Sequence, residues 1–166
     1  MRRLVLTIIA AAALLTVGAI AAAGPSSAAD CKAGNTTYGG VRARTYCGPA
    51  RAVVKIGGRT LRYRGGSCIR NRVAVELGIG TLILDSREPN RPRPRSFGIS
   101  VGRVFGIGQP ARHDGSYRSV MLAFVDHGKR YASLDATAEL SGGRTRGTFT
   151  GRLLTGKTIS GSFRCK

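Results

Sequence analysis

Residues 147–165 read GTFTGRLLTGKTISGSFRC, two alternating arms about a glycine-bearing centre. Phe149 and Leu153 on the first arm, and Ile159 and Phe163 on the second, all fall at odd positions. That is the period of a half-buried strand. Centring the turn on Gly156 predicts a β-hairpin with Leu153 opposite Ile159 and Phe149 opposite Phe163, one face of both arms turned to a core. Cys165 continues the inward series, where a cysteine is bonded into the interior. The even positions carry Arg144, Arg146, Thr148, Thr150, Arg152, Thr158, Ser160, Ser162 and Arg164. The hairpin therefore has an apolar inside and an outside of guanidinium groups and hydroxyls.

The same glycine punctuation runs back through the chain. Ala52–Ile56 and Arg59–Arg64 form strands around Gly57-Gly58, with Leu61 and Tyr63 inward and Arg62 and Arg64 outward. Gly65-Gly66 ends that hairpin. Val73, Val75, Leu77 and Ile79 alternate with Ala74, Glu76 and Gly78, and Leu82–Asp85 resumes after a break at Gly80. Three prolines and four arginines in residues 86–95 exclude a central strand and predict a surface connection, with Arg91, Arg93 and Arg95 placed to grip an anion. Phe97–Val101 alternates, residues 102–115 read as loop, and Val120–Val125 is apolar on both faces. Lys129–Leu140 then returns with Leu134, Ala136, Ala138 and Leu140 inward. No helical period with caps appears after residue 29. Turn signals every 8–15 residues or so predict an all-β, antiparallel sandwich or partly open barrel of about eight short strands, stapled by disulfides.

The N-terminus has its own pattern. Arg2-Arg3, an apolar run from Leu4 to Ala23, and small residues at Ser27 and Ala29 predict a secretory signal peptide over 1–29 with cleavage before Asp30; a retained membrane anchor is the alternative. Residues 30–49, rich in Gly, Thr and Tyr, read as an arm clipped by cysteines, and residues 50–166 as the β-domain. All four cysteines, Cys31, Cys47, Cys68 and Cys165, follow the signal. An even number in an exported chain predicts two disulfides, and arithmetic allows three connectivities. Cys31–Cys47 with Cys68–Cys165 is the preferred set, the first clipping the arm and the second tying an early strand to the last. Without a Cys-x-x-Cys pair, and in an oxidising compartment, zinc is disfavoured; no cofactor motif is present.

From Asp30 onward, twenty arginines and five lysines face eight acids, a net charge of +17, with +10 before residue 96 and +7 after it. Charge spread this evenly makes a basic surface rather than a tail. Its natural partners outside a cell are anionic envelope polymers, lipid headgroups or extracellular nucleic acid. A GC-rich coding bias yields the same arginine excess without selecting a ligand, and outward strand positions tolerate arginine in any case. A protein partner is left open, and oligomeric state is not encoded legibly.

Catalytic signals are sparse. His113 and His127 each neighbour an aspartate, but no Gly-x-Ser-x-Gly elbow accompanies them. Arg112-His113-Asp114 could serve a basic, nuclease-like site. The Asp-Gly and Asp-His-Gly sequences are also ordinary turns.

From residue 50 onward, the order of features resembles the small mycobacterial secreted lipoprotein antigens. The shared elements are a strand pair before a cysteine (Val53–Cys68), an Asp-Gly-aromatic turn (Asp114-Gly115-Ser116-Tyr117), and a glycine-rich passage closing on Ser162-Phe163-Arg164-Cys165. The resemblance implies a compact β-sandwich, a Cys68–Cys165 bridge and no enzymatic activity. This chain departs from the pattern in lacking a lipid-acceptor cysteine, in its basicity and in the Cys31/Cys47 arm. The expectation is a secreted, non-catalytic envelope or extracellular protein contacting anionic polymer or lipid. The alternative is a small basic secreted nuclease using His113 and nearby arginines.

Overall fold

The computed structural model describes residues 31–83, 93–103, 106 and 108–166. The signal peptide predicted over 1–29, Arg91 and most of the Pro/Arg connection lie outside them. The described residues form ten strands: β1 (Gly34–Tyr38), β2 (Val41–Tyr46), β3 (Ala50–Ile56), β4 (Arg59–Arg70), β5 (Ala74–Ile83), β6 (Ser96–Gly102), β7 (Gly115–Asp126), β8 (Lys129–Ser141), β9 (Arg146–Arg152) and β10 (Thr158–Arg164). All pairings are antiparallel. From β3 to β10 each strand pairs with its successor, and β10 returns to β3. The sheet is thus an eight-stranded, up-and-down closed barrel, with β1 and β2 added as a hairpin along the end of β5. The expected all-β, antiparallel, disulfide-stapled architecture is present, and it takes the barrel form, fully closed. Closure leaves the eight strands no free edge.

A barrel of eight strands is just wide enough for its own side chains to fill. Phe97, Phe124, Phe149 and Phe163 are fully buried, and Tyr63 lies between Phe97 and Phe124 at ring-centroid distances of 5.5 and 6.4 Å. Phe149 stacks on Phe97 at 5.9 Å. The inward series of the closing hairpin, Phe149, Leu153, Ile159, Phe163 and Cys165, is buried throughout. Its register differs from the expected one by two residues: Phe149 pairs with Gly161 and Phe163 with Gly147. Parity, and hence the face, is preserved. The rings select the shift, because a Cβ at Gly161 would sit 2.4 Å from Phe149 Cζ and one at Gly147 would sit 2.6 Å from Phe163. Each phenyl lies over a position that has no side chain.

Three other expectations are corrected. Residues 34–46 are a hairpin rather than a loop-like arm: Gly39 and Gly40 both take positive φ (58° and 83°), the geometry of a tight two-residue turn. Gly65-Gly66 ends the hairpin pairing with β3 but not the strand. β4 runs through it, pairing with β3 up to Gly66 and with β5 from Gly66 onward. Leu134 points outward, 60% exposed. Register shifts against β7 on either side of Val120 leave Ser133 and Ala136 both buried, so the inward phase changes between them.

Both preferred disulfides are formed, Cys31–Cys47 and Cys68–Cys165, with Cα separations of 5.8 and 5.4 Å. They are consistent with an extracellular location. Among the described residues no helix is long and apolar enough to cross a membrane.

Candidate anion-binding face

Hydrogen-bond register across the closing strands places four arginines in one row. Arg146 on β9 pairs with Arg164 on β10, Arg164 with Arg51 on β3, and Arg51 with Arg64 on β4. All four are exposed, since each stands at the outward phase of a strand whose other phase fills the barrel. None forms a salt bridge with a carboxylate among the described residues. Like charges directly opposite one another destabilise a sheet, by a few tenths of a kcal/mol to about 1 kcal/mol per pair. The row therefore has a cost in the free protein that no acid among the described residues offsets.

The absence of acids is built into the sequence. Residues 47–70 and 143–166, which supply β3, β4, β9 and β10, contain no aspartate or glutamate. Beside the arginine row, Thr148, Ser162 and Val53 form the next outward row, and Ser141 pairs with Arg146 at the β8 side. With Arg51, Arg146 and Arg164 these residues line a depression of about 450 Å³ that also takes in Ala52, Gly147 and Phe163; Arg64 continues the row beyond it. Glu139, opposite Thr148, marks its acidic border. Guanidinium forks and hydroxyls converging on one groove form a donor set for oxyanions.

Of the residues singled out from sequence, Arg146 and Arg164 belong to this row. Arg152 is exposed on the same face but opposite Thr158, farther along β9. Arg51 carries no signal along its own strand, because only the pairing of β10 with β3 brings it beside Arg164. Arg64 reads as outward on its strand, but alternation alone does not assign it to a site. The segregation of acids away from residues 47–70 and 143–166 was the signal that could have found both.

Arg144 is not part of the face. It lies in the β8–β9 turn at φ 59°, half-buried, and its Nη1 donates to Asn71 O at 2.7 Å and to Ala111 O at 2.8 Å. The carboxylate of Asp114 accepts from the backbone amides of Gly143 and Arg144 at 2.9 and 2.6 Å, which holds its pKa below the usual carboxylate range. Arg144 thus latches three connections at one end of the barrel. His113, next to Asp114, is exposed; its carbonyl accepts from Tyr117 Oη at 2.7 Å. Asp114 faces the turn amides rather than His113's imidazole in these hydrogen bonds.

The opposite end holds the buried Asp126, 4% exposed. Arg59 Nη2 donates to its Oδ2 at 2.8 Å, His127 Nδ1 lies 3.1 Å from the same oxygen, and Arg95 Nε lies 3.8 Å from Oδ1. Burial raises the Asp126 pKa, but the hydrogen bonds and charges of His127 and Arg59 outweigh it and hold it below the usual range. Arg95 also lies over the Tyr63 ring, 4.8 Å from its centroid. Arg95 therefore serves this cluster, and Arg93 lines a separate small depression with Pro94 and Ser96. Among the described residues no group of three or more His, Cys, Asp or Glu side chains is arranged to hold a metal ion. No protein-family model, curated protein or solved structure was found to match the chain.

Proposed function

We propose that this is a secreted, non-catalytic protein of the cell envelope or extracellular space that binds anionic polymer or lipid through the outer face of β9, β10, β3 and β4. The observation that carries this reading is the in-register row Arg146–Arg164–Arg51–Arg64, exposed and without carboxylate partners among the described residues. A sheet tolerates such a row at a stability cost, and a bound anion turns that cost into affinity. The two disulfides and the predicted signal peptide support export, and the resemblance to mycobacterial secreted lipoprotein antigens favours a protein without enzymatic activity.

The test is retention of the oxidised full-length protein on anionic supports, polymer-coated and lipid-coated, across a salt series. Changing Arg51, Arg64, Arg146 and Arg164 together to Gln should weaken retention by roughly tenfold or more at low salt. Changing the exposed Arg42, Arg72, Arg112 and Arg118 instead removes the same charge and should weaken it far less. Equal loss in both variants would show attraction by net charge alone and remove the face from the proposal.

A further inference from the structure

Resting on the reading above, the geometry points to a particular ligand class: a linear polymer of closely spaced tetrahedral oxyanions, phosphate first, lying across the strands along the arginine row. Adjacent strands are about 4.8 Å apart, so four arginines at successive strand positions span about 14 Å at one cation per strand. A single small anion can reach at most two of them. Matching all four requires anions repeated along one chain.

The groove's chemistry narrows the class. Thr148 and Ser162, in the next outward row, and Ser141, in register with Arg146, line the same depression as Arg51, Arg146 and Arg164, with Arg64 continuing the row beyond it, so an anion seated on one of those three guanidinium forks has hydroxyl donors beside it. A tetrahedral oxyanion presents acceptor oxygens out of one plane and can meet the fork and the hydroxyls together, whereas all the acceptor sites of a carboxylate lie in the plane that the fork already occupies. The depression is concave, and none of the exposed large apolar side chains, Tyr38, Ile69, Leu134 and Leu154, lines it. A flat bilayer would neither enter it nor find an apolar anchor there. No exposed aromatic ring lines it either; Phe163 contributes only from the buried side. Binding by base stacking, the usual device for single-stranded nucleic acid, is therefore not provided. The polymer is read by its backbone charge.

Inorganic polyphosphate, titrated into the oxidised full-length protein at several salt concentrations, is the direct probe. Four contacts predict a slope of log K against log salt of about −3, and each Arg→Gln change in the row should reduce its magnitude by about 0.7. Lys55→Gln with Arg152→Gln, on the same face but off the row, should leave the slope unchanged. Orthophosphate and tripolyphosphate at equal total phosphate should bind at least tenfold more weakly, and dextran sulfate should separate phosphate from other tetrahedral anions by its rank. If the Lys55/Arg152 variant loses as much slope as Arg51→Gln with Arg64→Gln, the ligand does not follow the row. Orthophosphate binding as tightly as the polymer, polyglutamate outranking both tetrahedral polymers, or row-dependent binding to phosphatidylglycerol vesicles alone would each overturn the inference while leaving the basic face as a binding surface. An unchanged slope and affinity in the variant lacking all four arginines would overturn both. Circular dichroism and thermal melting of each variant separate these outcomes from misfolding.

Discussion

Arg144 and Arg146 stand two positions apart, and their guanidinium groups do different work. Arg146 is exposed in the row, whereas Arg144 is spent on two backbone carbonyls and holds the β4–β5, β6–β7 and β8–β9 connections together. Arg144→Ala should cost about 1–3 kcal/mol, read as a lowered Tm, since it leaves those carbonyls without a charged donor. Arg144→Gly should recover about 1 kcal/mol of that, because glycine takes φ 59° without strain. Tyr63 makes a second residue-scale prediction. Burial, reinforced by the nearby Asp126 charge, pushes its pKa up to about 12 although Arg95 opposes the shift. Its protonated form is favoured by folding, so its contribution is complete below the ordinary tyrosine pKa near 10 and is lost as pH rises from there towards 12. Tyr63→Phe should flatten the alkaline arm of the stability–pH curve, with a loss of about 1 kcal/mol at neutral pH from the Tyr63 Oη to Val125 O bond. Asp126 acts in the other direction: its pKa is lowered, so its contribution is present above the ordinary carboxylate pKa near 4 and is lost as pH falls through the folded value.

The closing hairpin shows what a strand pair requires beyond alternation. The odd-position pattern of Phe149, Leu153, Ile159 and Phe163 makes their shared face legible in the sequence, and burial of all four bears that out. Register was not legible, since a slip of two residues keeps every side chain on its face. Packing decided it, by setting each phenylalanine over a glycine of the partner strand. Gly161→Ala should therefore destabilise by about 1–3 kcal/mol or more, because the new Cβ would meet Val53 O as well as the Phe149 ring. The outward face predicts the opposite sign. Arg164 stands between Arg146 and Arg51, so Arg164→Thr should raise the Tm of the ligand-free protein, by about 0.5–1 kcal/mol in stability, most clearly at low salt. A destabilised Arg164→Thr protein would argue that the guanidinium is held by something other than solvent.

At the scale of the whole molecule, closure and cross-linking act together. Cys68–Cys165 joins residues 97 apart in sequence and ties β4 to the end of the chain just beyond β10. In the chain-entropy model a loop of that size is worth about 4–5 kcal/mol, so Cys68→Ala with Cys165→Ala should lower stability by that order in denaturant titrations. The Cys31–Cys47 loop is far shorter, with a separation of 16, and its removal should cost about 3 kcal/mol at most and act mainly on the added hairpin. The all-β class, the strand faces other than that of Leu134, and the even number of cysteines follow from local pattern: side-chain period two, turn residues and composition are properties of short stretches. The tertiary structure alone decided the rest. Closing β10 on β3 made a barrel, and the same closure brought Arg51 beside Arg164 although more than a hundred residues separate them in the chain. A row across strands has no signature along any one strand, because its members are neighbours only through hydrogen bonds between distant segments.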